Sequence, residues 1–283
     1  MEEYFASGHT ACAGCGMPIV VRHALNVIGK DVVVVNATSC LEIVSSAYPR
    51  SACGVPYVHS LFENAGAIAA GAVAALRVQG NDHTKVVIFA GDGSTYDIGI
   101  GILSGMLERN DDVLYICYDN EAYMNTGNQR SGSTPFGAAT TTSPAGKVKH
   151  GKMQWKKPIA EIVAAHKIPY VATASIGYMA DFENKVKKAK DVKGSRFILT
   201  LSPCVTGWNY DSSKTIELAK LAVDTGLWML YEVEDGRFKL SLRPQKLKPV
   251  GEYLKTQSRF KHLSEDEIKF IQDHVNKTWA ETK

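Results

Sequence analysis

Gly91-Asp92-Gly93 ends one apolar run, and after 26 further residues Asn120 ends another. An aspartate oxygen, an asparagine carbonyl oxygen and a main-chain carbonyl are hard donors that suit Mg²⁺, an ion that also takes phosphate oxygens and water. The flanking glycines permit a tight turn and a close backbone approach to phosphate. A helical pattern begins near Asp97, and a helix N-terminus favours an anion. The pattern therefore points to a cation that carries a phosphorylated ligand. A turn glycine pair and an unrelated asparagine would look the same if the intervening strand–helix–strand order were missing.

A second group of residues is sulfur. Cys12 and Cys15 form a C-x-x-C pair in "HTACAGCGMP", ahead of an apolar helical pattern. Cys40 follows the first strand-like run and Cys204 the fifth. Four thiolates on one rim could hold a [4Fe–4S] cluster or Zn²⁺. They could also be unconnected thiols, or the C-x-x-C could be a redox dithiol at a helix start. The dithiol reading requires a strand directly before C-x-x-C, which "MEEYFASGHTA" does not supply, and it leaves Cys40 and Cys204 idle. Cys117 lies within an apolar run and reads as core. Cys53 reads as structural.

The elements that must position these residues follow from periodicity. Near-continuous apolar runs at 31–38, 85–91, 112–120, 169–175, 196–202 and 228–233 read as strands covered on both faces. Helical patterns fall at 17–29, 63–80, 97–110, 156–167, 179–191, 212–226 and 264–281. Pro18 and Gly29 mark the start and stop of the first helix. Ser264 and Glu267 have capping-box spacing before the last. The alternation predicts an α/β fold with a mainly parallel sheet and helices on both faces. In such sheets ligands bind beyond the carboxyl ends of the strands, where Cys40, Asp92, Asn120 and Cys204 all fall.

Two segments break the pattern. Residues 121–155 are rich in Gly, Ser, Thr and Asn, and a loop of that length inside a compact domain points to function or disorder. Residues 243–262 carry six Lys/Arg against one Glu and read as a solvated tail, a subunit contact or a docking surface for an acidic partner.

The 283 residues, 45% hydrophobic and 22% charged, are ordinary for a globular protein. A net charge of +3 gives no case for nucleic acid. No apolar run is long enough for a membrane span, and the N-terminal stretch lacks the features of a secretory signal. The expected location is the cytoplasm, where cysteines are free, metal-bound or catalytic and not disulfide-paired. The sequons at Asn36 and Asn276 are then incidental.

The order of Gly-Asp-Gly, about 26 residues and Asn is that of thiamine-diphosphate proteins. With "GHTACAGCG", "SLFENAGAIAAG", "DNEAYMNTGNQRSGSTPFGA", "IPYVATASIGY" and "LSPCVTGW" it resembles, over nearly the whole chain, the thiamine-diphosphate (beta) subunits of 2-oxoacid:ferredoxin oxidoreductases, the pyruvate enzymes above all. The resemblance implies one domain over 1–283, with a cluster-binding loop at about 8–16 and a basic, helical extension at about 240–283. It implies that Cys12, Cys15, Cys40 and Cys204 bind a [4Fe–4S] cluster. It implies that Asp92, Asn120 and the carbonyl of Ala122 bind Mg²⁺, and that Gly91, Gly93, Asn125, Thr126 and Gly127 line the diphosphate and thiazolium region. Glu121 stands where other thiamine enzymes have a second Asn, a position at which this family generally departs. The implied reaction is oxidative decarboxylation of a 2-oxoacid with transfer of the acyl group to coenzyme A and of electrons to ferredoxin. The implied partners are an alpha-type subunit carrying the pyrimidine-side domain and its activating carboxylate, and gamma- and delta-type subunits, the delta ferredoxin-like. Glu63 is a conceivable active-site carboxylate, though its place suits a helix start that contacts the loop or the partner. The rivals are a thiamine enzyme without a cluster, which leaves the cysteines unexplained, and a structural zinc protein, which leaves Asp92 and Asn120 unexplained.

Overall fold

The computed structural model describes residues 3–48, 51–147 and 150–282. The elements run, in chain order, α1 Met17–Ile28, β1 Val32–Ala37, α2 Cys40–Ser45, β2 Tyr57–Ser60, α3 Ala65–Val78 and β3 Lys85–Gly91. A single π-helical turn, Gly93–Ile98, leads into α4 Ile100–Glu108, followed by β4 Val113–Asp119, α5 Ile159–Ala164 and β5 Tyr170–Ser175. Then come α6 Met179–Asp191, β6 Arg196–Leu201, α7 Val205–Trp208, α8 Thr215–Asp224, β7 Leu230–Glu234, β8 Arg237–Leu242, α9 Val250–Leu254 and α10 Glu265–Glu281.

One sheet has the order β2-β1-β3-β4-β6-β5-β7-β8. The first six strands in that order are parallel, and β7 and β8 add an antiparallel hairpin at one edge. The central strands are buried at every position but one, Lys85 of β3. This explains why they read as continuous apolar runs without alternation. One face carries α1, α2 and α6, whose Val20, Leu25, Leu41, Phe182 and Val186 pack on Val34, Phe89 and Ile116. The other carries α3, α4, α5, α9 and α10, packed on Val35, Ile88, Tyr115 and Leu199. Among the described residues no helix is long and apolar enough to cross a membrane.

Local signals hold at the helix ends. Gly29 closes α1 at φ 93°, where a side chain would be strained. The Ser264 hydroxyl accepts from the Glu267 N–H at 3.2 Å, and Glu267 accepts from the Ser264 N–H at 2.8 Å. That reciprocal cap contributes about 1 kcal/mol.

Three readings need correction. The helix expected from Asp97 starts at Gly93 as a wider π turn, with the Gly99 N–H bonded to the Ser94 carbonyl at 2.9 Å. Strands β2 and β8 were not expected. They are edge strands whose side chains are mostly exposed or half-buried, so they lack the apolar run that marks the interior strands. The segment 243–262 is no solvated tail: Val250, Tyr253, Leu254 and Phe260 belong to the core, and Arg259 is itself buried.

Candidate functional site

Because β1, β3, β4 and β6 are parallel neighbours, the turns at their carboxyl ends emerge along one rim. Cys40 opens α2 after β1, Asp92 follows β3, Asn120 follows β4 and Cys204 follows β6. A cleft on this rim is lined by Ser39, Cys40, Phe62, Asp92, Asn120 and Ala122, with Gly91, Gly93, Asn125 and Thr126 among its walls. Gly127 stands one residue beyond, at φ 118°, its N–H bonded to the Met124 carbonyl at 3.1 Å. Glu63 sits half-buried ahead of α3, and it is its neighbour Phe62 that enters the cleft wall. Tyr123 stacks on Phe62 with ring centroids 5.7 Å apart. A Cβ on Gly93 would lie 2.4 Å from the Tyr123 ring, so glycine is needed here for contact as well as for the turn.

The three oxygens expected to take a cation lie together. The amide oxygen of Asn120 lies 2.8 Å from the Ala122 carbonyl oxygen and 3.0 Å from Asp92 Oδ1. Three acceptors at that spacing repel one another unless a cation lies among them or the amide turns over to donate. Oxygens held about 2.1 Å from an octahedral Mg²⁺ lie about 3.0 Å apart, so the set fits the ion. Charge argues the same way. Asp92 and Asp119 are both buried, and Glu121 beside them is buried too. Lys156 and Arg259 are the cations that pair with this group, and among the described residues Asp92 has no ion pair of its own. Three carboxylates against two cations leave one negative charge uncompensated. Burial, and then the charge of Asp119, push the Asp92 carboxyl well above the usual carboxylate range. A divalent cation would reverse that shift.

Glu121 explains the missing second asparagine: it faces away from the donor set. At φ 68° its backbone turns so that its neighbours' oxygens can converge. Its carboxylate meets Arg259 at 2.6 Å and Lys156 at 3.2 Å. Burial works against its charge, but Lys156 and Arg259 overcome this and hold its pKa below the usual range. Asp119 Oδ2 meets Lys156 at 2.8 Å and accepts from the Tyr96 hydroxyl at 2.7 Å. Arg259 lies 3.9 Å over the Trp208 ring, and the Trp208 indole N–H donates to the Asn120 carbonyl at 2.8 Å. Ser131 donates to Asp92 Oδ2 at 2.5 Å, and the Thr134 hydroxyl donates to the Glu121 carbonyl at 2.7 Å. Reading along the chain does not find Ser131, Trp208, Lys156 or Arg259 in this role, because no spacing rule links them to Asp92.

The long loop is ordered by such bonds and not by regular structure; its residues 148 and 149 lie outside the described residues. Buried Lys152 donates to the carbonyls of Thr134 at 2.5 Å and Gly132 at 3.1 Å. Burial, then Arg130 and Lys156, lower its pKa to about 8. A lysine lowered in the folded state penalises folding fully below that value, and the penalty fades as pH rises toward the unfolded pKa near 10.4. The stability of the wild type relative to Lys152→Met is therefore expected to rise between pH 8 and 10. The full change is about 3 kcal/mol. Paired thermal denaturation across that range checks it, and a constant difference would refute it.

The cysteines converge on the same rim. Thr10 N–H bonds to the Val44 carbonyl at 3.0 Å, Gly16 N–H to Pro203 at 3.2 Å, and the Thr215 hydroxyl to Gly14 at 2.6 Å. These bonds tie the 8–16 loop to the segments carrying Cys40 and Cys204. Burial and then the charges of Cys204 and Cys12 push the Cys15 thiol up to about 12, against an N–H of Met17 that lowers it. Cys40 is likewise pushed up to about 12, by burial and then by Cys204, Cys15, Cys12 and Asp92. The four thiols thus sense one another. Yet among the described residues no three His, Cys, Asp or Glu side chains close on a single ion. All six cysteines are unpaired, with Cys117 fully buried and Cys53 half-buried, away from this group's interactions. A larger cavity of about 300 Å³ lies behind the Glu121–Lys156 pair, lined by Trp155, Trp228, Tyr253 and Ile271. It holds none of the cysteines and neither Asp92 nor Asn120.

The chain is similar to known proteins over its whole length. Residues 36–199 match the family described as thiamine pyrophosphate enzyme, C-terminal TPP binding domain. Pyruvate synthase subunit PorB of Methanothermobacter marburgensis is 53% identical over 282 residues, covering 100% of this chain and 98% of that protein. Ketoisovalerate oxidoreductase subunit VorB of Pyrococcus abyssi is 46% identical over 289 residues, covering 100% and 93%. The solved 2-oxoglutarate:ferredoxin oxidoreductase of Magnetococcus marinus shares the fold, with a TM-score of 0.59 at 21% identity over 93% of this chain and 91% of that one. On its sequence similarity, its fold and its thiamine-pyrophosphate domain, the chain belongs to the beta subunits of the 2-oxoacid:ferredoxin oxidoreductases.

Proposed function

We propose that this chain is the thiamine-diphosphate subunit of an enzyme that oxidatively decarboxylates pyruvate, passing the acetyl group to coenzyme A and electrons, one at a time, to ferredoxin. The observation that carries the reading is that Cys40 lines the same cleft as Asp92 and Asn120. A thiolate centre and a diphosphate-holding cation would then be neighbours, as electron transfer from one to the other requires. Asp92, Asn120 and the Ala122 carbonyl hold Mg²⁺, and the turn from Gly91 to Gly93 lets the backbone meet the diphosphate. Asn125 and Thr126 line the same cleft, with Gly127 one residue beyond. Thiamine diphosphate, when bound, supplies the electron sink for loss of carbon dioxide, and a [4Fe–4S] centre on Cys12, Cys15, Cys40 and Cys204 supplies one-electron acceptance.

The enclosed part of the cleft is only about 40 Å³, room for a cation with a water or phosphate oxygen. The remaining walls, with the carboxylate that activates the cofactor, come from an alpha-type subunit, and onward transfer runs through a ferredoxin-like delta subunit within an alpha–beta–gamma–delta assembly. Glu63 is kept as a contact to that partner. Pyruvate is favoured over branched 2-oxoacids by the higher identity to the pyruvate synthase subunit. The assembly works in the cytoplasm, where thiols stay reduced.

The test is anaerobic purification of the complex with iron, acid-labile sulfide and zinc analysis of this subunit. About four irons and four sulfides per chain are expected, lost in Cys40→Ala and Cys204→Ala while thiamine diphosphate still binds. Zinc in place of iron, or no metal on these cysteines, would overturn the reading and leave a non-redox thiamine protein.

A further inference from the structure

We propose that Thr206 tunes the reduction potential of the four-cysteine centre, by donating an O–H···S hydrogen bond to Cys12. The inference rests on the cluster reading above and adds a residue to it. Thr206 Oγ1 lies 3.8 Å from Cys12 Sγ, across 194 positions of sequence. It is the only hydrogen bond that this hydroxyl makes among the described residues, and Thr206 is the only side chain among them that donates to any of the four sulfurs. The remaining donors are main-chain. Gly207 N–H reaches Cys204 Sγ at 3.4 Å, and Met17 N–H serves Cys15. Main-chain donors cannot be removed by substitution, whereas the Thr206 hydroxyl can be changed alone.

The direction of the effect follows from charge. When the centre accepts one electron from the 2-oxoacid as that substrate is oxidised, it becomes one unit more negative and its sulfurs become better acceptors. A donor bond to sulfur therefore stabilises the reduced state more than the oxidised one and raises the potential. Cys12 is the exposed member of the four. It is the ligand whose sulfur would otherwise depend on water for donors.

The experiment is an EPR-monitored dithionite titration of the assembled holoenzyme, with iron counted in each sample. Thr206→Val keeps the shape and removes the hydroxyl. Its midpoint is expected to fall by up to a factor of ten in the one-electron equilibrium constant, which is about 59 mV. Thr206→Ser keeps the hydroxyl and is expected to stay near wild type, which a purely steric role would not explain. Thr206→Ala supplies a second hydroxyl-free variant should the valine side chain disturb α7. Full iron content with an unchanged midpoint in the hydroxyl-free variants would overturn the tuning role alone. A wild-type holoenzyme with no iron and no cluster signal would overturn the cluster reading with it.

Discussion

Asp92→Asn is expected to stabilise the metal-free protein while abolishing useful cofactor binding. Asp92 is buried beside Asp119 and has no cation of its own among the described residues. Burial and the Asp119 charge raise its pKa, so its ionised form opposes folding at neutral pH. Asparagine keeps the size and removes the charge, which should gain on the order of 1–2 kcal/mol in the metal-free state. The same change removes the one charged donor from a set otherwise made of two neutral carbonyl oxygens. Loss of a mere supporting group around a metal costs 10–100-fold in affinity, so loss of this donor should cost more than about 100-fold in Mg²⁺-dependent binding of thiamine diphosphate. Chelation of Mg²⁺ from the wild type should release the cofactor and lower the melting temperature, and leave the variant unaffected. Calorimetric titration with thiamine diphosphate, with and without EDTA, reads both effects. Retention of Mg²⁺-dependent binding within a few-fold of wild type would show that Asp92 is not a ligand.

Arg259→Met should be the most destabilising single change in the basic C-terminal segment. It leaves the buried carboxylate of Glu121, paired with Arg259 at 2.6 Å, with Lys156 alone at 3.2 Å, a cation it shares with Asp119, and it removes the cation stacked 3.9 Å over Trp208. Removing the sole partner of a buried charge costs about 3–5 kcal/mol; with Lys156 still beside Glu121, the loss is expected near the lower end of that range. The damage should reach the cofactor. Trp208 holds the main-chain carbonyl of Asn120, whose side chain supplies one donor, and the left-handed turn at Glu121 joins it to Ala122, whose carbonyl supplies another. Weaker binding of thiamine diphosphate should therefore accompany the loss of stability. Glu121→Gln in the Arg259→Met background should recover part of the stability, since Lys156 then no longer has to serve two buried carboxylates. The double-mutant cycle measures the coupling. A melting temperature for Arg259→Met equal to that of wild type would refute the network as the support of the cation loop.

How far the site could be read in advance depended on the kind of constraint. Asp92, Asn120 and the cysteines at 40 and 204 stand at strand ends, and apolar runs show where strands end. Parallel order then puts all of them on one rim, as found. Glu121 was legible as a departure from a motif but not as a charge partner. The basic segment 243–262 was legible as charge but not as core, because a tally of lysines and arginines does not reveal that one of them is buried. The edge strands β2 and β8 escaped because strands with mostly exposed or half-buried side chains need no continuous apolar run.

The sequence by itself determined the interior strands, most of the long helices, the rim on which chemistry collects and the family to which the chain belongs. These follow from local periodicity, which reports which face of an element is buried, and from motifs whose residues act together at short spacing. Only the tertiary structure decided what opposes each buried face. Glu121 and Arg259 meet across 138 positions, and Thr206 and Cys12 across 194. No periodic rule connects such residues. Their partnership is set by the path of the chain over a common sheet, and it is enforced by the cost of leaving a buried charge or donor unpaired.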